Sequence, residues 1–160
     1  MYKLLLMVLM SVVFMSLYAL QTDEELAMHT VFQGKHGLND AVHAAAQQSD
    51  GAKLAQGIHS IDETKAREAA LAYLQANLRL NEDNEPLPDT FLKSRVVVEL
   101  FKVVNEDTVF PYMYQDDRLD YSVTLERPGV IMFIRLEFPR TYAVLQPITW
   151  VIKSSAEMVY

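Results

Sequence analysis

"KLLLMVLMSVVFMSLYALQTDEE", Lys3 to Glu25, is the stretch on which the reading of the whole chain turns. From Leu4 to Thr22 there are 19 positions without a formal charge. A helix of that length reaches about 28 Å, close to the ~30 Å hydrocarbon thickness of a bilayer. A secretory signal is the competing reading, but its apolar region usually runs only about 7–15 residues and ends in small side chains. The exit here is Leu17-Tyr18-Ala19-Leu20-Gln21, which puts Leu17 where a cleavage site prefers a small residue. The chain has no cysteine, which excludes lipoprotein processing. A core helix of a soluble protein is disfavoured, because no polar stripe interrupts the run; Ser11 and Ser16 can bond back to their own helix. The expectation is a retained anchor over residues 1–22, touching membrane lipid through residues 4–22, with a cleaved signal as the alternative.

The flanks set an orientation. Lys3 precedes the run, and Asp23, Glu24 and Glu25 follow it. Positive charge stays cytoplasmic, so the N-terminus is expected inside the cell membrane and the rest of this single-pass chain outside. The remaining 138 residues suffice for one domain with its own core, residues 23–160. With Lys3 set aside, 13 basic residues face 21 acidic ones, a net of −8. Such a domain lacks the positive footprint that nucleic acid requires, so no nucleic-acid partner is expected. Acidic headgroups would also repel it, so attachment should rest on the apolar segment.

Beyond the anchor the pattern is helical to about residue 80. Leu26, Met28, Val31 and Phe32 continue the apolar pattern, and "LNDAVHAAAQQ" (Leu38 to Gln48) is rich in alanine, the best helix former. Gly34 and Gly37 should soften or kink that helix, and Gly51 and Gly57 read as stop signals. A second helix starts near "SIDETKAREAALAYLQANLRL", capped by Ser60 in a capping box with Glu63 or, alternatively, by Asp62. Ala66, Ala69, Ala70, Tyr73, Leu74 and either Asn77 or Leu78 fall on one face. "NEDNEPLPDT", residues 81–90, carries four acids and two prolines and reads as an exposed acidic loop.

From Phe91 the period changes to two, and residues 91–160 read as an antiparallel sheet. "SRVVVELFKVV", "LDYSVTLE", "VIMFIRLEF" and "ITWVIKSSAEMVY" are four strand candidates. Val130, Met132, Ile134, Leu136 and Phe138 share one face of the third, and Trp150, Ile152, Ala156 and Met158 one face of the fourth. Arg127-Pro128-Gly129 reads as a tight turn joining the second and third into a hairpin. Helices first and strands later give an α+β fold: an anchor helix continuing into an amphipathic helix, then a second helix packed on a four-stranded antiparallel sheet.

An apolar helix running into "AVHAAAQQ", followed by "GVIMFIRLEF" and "LQPITWVIKSSAEM" as a closing pair of strands, resembles the plan of pilin-like proteins, in particular the TadE/TadG-like pseudopilins of bacterial tight-adherence pili. The resemblance covers most of the chain and implies a structural role in a pilus or secretion assembly. Its implied partners are other pilin-like or assembly-platform proteins. Ala41, Ala44, Ala45 and Ala46 are the residues expected to pack against neighbouring helices, alongside a role in covering the domain's own sheet. One feature departs from that family. Its processed members carry Gly or Ala before the run and Glu five residues into it, whereas Lys3 precedes the run here and the first Glu is Glu24. The alternative is a single-pass anchored external domain for binding or sensing that enters no filament.

No catalytic residue emerges from the motifs. The chain lacks the nucleotide-binding P-loop, the G-x-S-x-G elbow, H-E-x-x-H and S-x-x-K patterns. His29, His36 and His43 are spaced by seven, so a helix would hold them about 10.5 Å apart, too far for one metal ion. Asp40 lies between His36 and His43 at helical spacing, but a partly exposed helix face is the preferred account. "NEDNE" lacks the glycine and glutamate that a calcium-binding EF-hand loop needs at its sixth and twelfth positions. No enzyme activity, cofactor or metal is therefore expected. Tyr112, Tyr114 and Tyr121, with Phe101, Phe110 and Phe133, offer either a sticky surface or sheet core, and core is preferred because aromatics dominate burial.

Overall fold

A computed structural model describes residues 2–142 and 145–159. Helix α1, Tyr2–Ala46, is one uninterrupted helix of 45 residues. A short helix α2 (Gly51–Leu54) and then α3 (Glu63–Leu78) follow. The strands are β1 (Val97–Val104), β2 (Tyr112–Asp116), β3 (Tyr121–Leu125), β4 (Gly129–Phe138) and β5 (Ile148–Glu157).

The expected α+β class and long N-terminal helix are present, but the single four-stranded sheet is not. The strands form a three-stranded antiparallel sheet, β1-β4-β5, and a separate two-stranded one, β2-β3. Residues 112–116, expected only as part of an aromatic cluster, form the additional strand. The chain does turn at Arg127-Pro128-Gly129, yet this is no hairpin, because β3 pairs with β2 while β4 pairs with β1 and β5. The reason lies in β4. Ile131 and Phe133 are as buried as Val130, Met132 and Ile134, so both faces of this strand need cover. Helices α1 and α3 supply it on one side and the β2–β3 hairpin on the other.

Two cores result. On the helix side, Leu38, Ala41, Val42, Ala45 and Ala46 of α1 meet Ala66, Ala70, Leu74 and Leu78 of α3 over Val130, Met132, Ile134, Leu136, Ile152, Ala156 and Met158. On the other side, Leu125, Ile131 and Phe133 pack with Tyr114, Tyr121 and Val123. The ring of Tyr121 meets Phe133 edge-on at 5.0 Å and Tyr114 meets it at 6.2 Å. Phe101 instead faces the helices, beneath the Arg67 guanidinium at 4.7 Å. Alternation along β1 sends Phe101 and Val103 to the helices and Leu100 and Val104 to the other core. An extra residue between Val98 and Leu100 flips the alternation, so that Val98 also faces the helices.

The helix ends follow capping chemistry. Asp62, rather than Ser60, caps α3, its carboxylate accepting from the Thr64 and Lys65 amides at 3.1 Å each. Gly51 is not a stop signal; it opens α2 behind the cap Asp50. Gly57, at φ 78°, takes the left-handed conformation after that helix. The inward stripe of α3 is Ala66, Ala70, Leu74 and Leu78; Tyr73 and Asn77 lie outside it, exposed.

Gly34 and Gly37 do not break α1. A Cβ on Gly34 would stand 2.4 Å from Leu136 Cδ1 and 2.8 Å from Ile152 Cδ1, and one on Gly37 would stand 2.8 Å from Leu78 Cδ2. These glycines let α1 lie close against the sheet and against α3, where a side chain would have to displace Leu136, Ile152 or Leu78. Residues 81–90 are a largely exposed loop, as expected, and its first half is an ordered turn. Asn81 Oδ1 accepts from the Asp83 and Glu85 amides at 2.9 Å each, and the Asn84 carbonyl accepts from Val96 N–H at 2.9 Å.

Candidate functional site

The feature of this molecule that internal packing does not explain is the first half of α1. Leu4, Leu5, Met7, Phe14, Met15 and Leu17 each keep more than half of their surface exposed. The most apolar 18-residue window of the helix has a mean hydropathy of 2.2 and none of it is buried. Exposing so much contiguous apolar surface to water is strongly unfavourable, so this half is built for a non-aqueous neighbour. Among the described residues it is the one helix long and apolar enough to cross a membrane, and the same properties suit a signal sequence. Its few hydroxyls are satisfied internally: Ser11 Oγ donates to the Met7 carbonyl, Ser16 Oγ to Val12 and Thr22 Oγ1 to Tyr18, at 2.9–3.0 Å.

The change from bare to packed helix falls at Asp23, which is buried. Its carboxylate accepts from the Thr141 amide at 2.8 Å and from the Thr141 hydroxyl at 2.6 Å. The segment after β4 is thereby fastened to the helix one residue beyond the apolar run. Around this junction, Glu24, Ala27, Met28, Arg140, Ile148 and Trp150 line a hollow of about 260 Å³. Leu26, Asp89, Thr90, Phe91, Lys93 and Phe138 line a second, of about 270 Å³. His29 stacks on Phe91, with ring centres 6.2 Å apart. Trp150, expected on the sheet's covered face, is half-buried beside the helix.

The alanines expected to pack on neighbouring helices sit unequally. Ala41, Ala45 and Ala46 have no exposed surface and lie in the helix-side core of this chain. Only Ala44 is partly open, in a shallow surface hollow with Asp40, His43, Gln47, Tyr73 and Asn77. His29, His36 and His43 are exposed, and among the described residues no group of three or more His, Asp or Glu is placed to hold a metal ion.

Polar contacts in the interior serve the fold. Ser154 Oγ donates to Asn39 Oδ1 at 2.7 Å, joining α1 to β5. Asn105 spans the Ile61 peptide, accepting from its N–H at 2.8 Å and donating to its carbonyl at 3.0 Å. Every buried side-chain nitrogen and oxygen among the described residues has a partner, so no orphaned group marks a reaction centre. On the surface, Lys53 meets Glu106 at 2.5 Å; the hydrogen bond from Lys53 holds the Glu106 carboxyl below its ordinary range. Sequence reasoning missed Asp23, because an acid after an apolar run reads simply as a flank. Comparison with known protein families, with curated proteins and with solved structures finds no match.

Proposed function

We propose that this chain is a membrane-anchored, pilin-like structural protein of a pilus or secretion assembly. Residues 4–22 are its single span, the N-terminus is cytoplasmic and the folded part stands outside. The observation that carries this reading is one unbroken helix, bare and apolar in its first half and packed in its second. The charge asymmetry between Lys3 and the Asp23-Glu24-Glu25 cluster supports the orientation. The resemblance to TadE/TadG-like pseudopilins supports the structural role. Within a bilayer, helices associate through close packing and interhelical hydrogen bonds rather than through hydrophobicity, so partner subunits should meet the bare half of α1. Ala44 can add a contact just outside the membrane. With Ala41, Ala45 and Ala46 committed to the core, their part is to hold the helix on its own domain.

The absence of cysteine makes the test direct, since one introduced thiol is unique in the chain. Single cysteines at successive positions from Leu5 to Leu17 should crosslink in native membranes on one helical stripe, recurring every three or four residues. In parallel, Ala44→Glu should leave the melting temperature unchanged and weaken co-purification with partner subunits. A second reading, a lone anchored binding or sensor domain, is favoured by Lys3 and the first Glu at Glu24, which depart from the processing pattern of the family. Absence of crosslinks at every position, with Ala44→Glu silent in both assays, would select it.

A further inference from the structure

We infer that the junction end of the folded region rests in the headgroup layer of the bilayer, held there by a collar of apolar, aromatic and cationic side chains around α1. This contact rests on the reading of residues 4–22 as a retained span and adds to it a defined second meeting with lipid.

Height along α1 places the collar. Asp23 fixes Thr141 to the helix one residue after the apolar run ends, so the neighbouring side chains have a known height above it. Glu24, Leu26 and Met28 stand about 3, 6 and 9 Å beyond Thr22 along the helix axis. The interfacial layer on each side of the hydrocarbon is about 5–8 Å thick, the difference between the core and the full bilayer shared between two leaflets. Phe91 and Lys93 share a hollow with Leu26, and Phe91 also stacks on His29, about 10.5 Å beyond Thr22. Arg140 and Trp150 share the other hollow with Glu24 and Met28, so the collar runs from inside that layer to just beyond its outer edge.

The chemistry of these residues suits the place. Phe91 and Met28 are about half exposed, at 52% and 50%, and they continue the exposed apolar surface of the run onto the folded region. Trp and Tyr are enriched at membrane interfaces because their rings are apolar and their polar edges can stay wet, and Lys and Arg stems reach outward to phosphate. Tyr18, 65% exposed, adds an aromatic ring one turn inside the run. The acids Glu24, Glu25 and Asp89 at this end offset Lys93 and Arg140, so apolar insertion, not net charge, supplies the attraction. The lipid that fits is therefore zwitterionic.

Trp150 is the only tryptophan of the chain, so it reports on this contact without labelling. The full chain should be reconstituted in phosphatidylcholine vesicles containing lipid brominated either near the headgroup or deep in the acyl chain. Trp150 emission should fall more with the shallow bromines, and Phe91→Ser combined with Lys93→Glu should reduce that loss. The span is read separately, from carbonate-resistant flotation and from Phe14→Trp in a Trp150→Phe chain, where deep bromines should quench. Deep quenching of the Phe14→Trp probe, with Trp150 of the unsubstituted chain unquenched, would overturn the collar and leave the span standing, whether water or a second copy of the chain covers this end. Loss of the protein from floated vesicles would overturn the span and the collar with it.

Discussion

The two halves of α1 share a helix and little else. Up to Thr22, large apolar side chains point in every direction and remain exposed; after Asp23, small residues face inward and mostly polar ones outward. The inward positions of the second half are Ala27, Thr30, Gly34, Gly37, Leu38, Ala41, Val42, Ala45 and Ala46. Side-chain size, not hydropathy alone, therefore separates them. The first half presents bulky side chains that nothing in its own chain covers, whereas the second presents glycines and alanines that the sheet and α3 approach closely. A single secondary structure thus carries two different surfaces along its length.

The largest test of that contrast is Ala41→Glu. A carboxylate at a site with no exposed surface and an apolar surround costs several kcal/mol, a large fraction of the ~5–15 kcal/mol that holds a typical domain together. The cooperative thermal transition should disappear while membrane partitioning survives. Val13→Lys should do the opposite, costing roughly 2.5–3.5 kcal/mol of insertion at the middle of the run and leaving the melting transition where it was. If either substitution moved both readouts, the halves would not be independent. Gly34→Val is next, at about 1–3 kcal/mol by overpacking against Leu136 and Ile152, read by chemical denaturation.

The smallest effect is a pH response far from α1. Lys53 lowers the Glu106 carboxyl below its ordinary range, so their pairing stabilises the fold above that range and is lost as acid protonates the carboxylate in the folded state. Lys53→Met should lower the melting temperature slightly at neutral pH and leave it nearly unchanged in acid, so that the acid limb of a melting-temperature profile flattens.

Much of this architecture was legible in the sequence. The 19 uncharged residues, the Ala66, Ala70 and Leu74 part of the α3 stripe and the shared face of Val130, Met132, Ile134 and Leu136 each report a local periodicity, and local periodicity survives folding. Asp62 was legible only as the alternative cap, and the spacing wrongly places Tyr73 on the stripe. The layering did not survive as a reading, because it depends on which strand pairs with which. A signal was nevertheless present. "VIMFI", Val130 to Ile134, is a continuous apolar run, which marks a strand buried on both faces and so demands a layer beyond the helices. Tyr112 and Tyr114, alternating with Met113 and Gln115, were the start of that layer. At the junction, Asp23 was illegible because its partner Thr141 lies 118 residues away.

An unbroken α1 also gives the chain a continuous mechanical path. Tension applied to the bare half passes into the packed half with no hinge to absorb it. The inward stripe from Ala27 to Ala46 packs on α3, β4 and β5, so an axial pull would have to slide contacts with three elements. Asp23 and Thr141 stand where that grip begins, and they form the first bond to feel the strain.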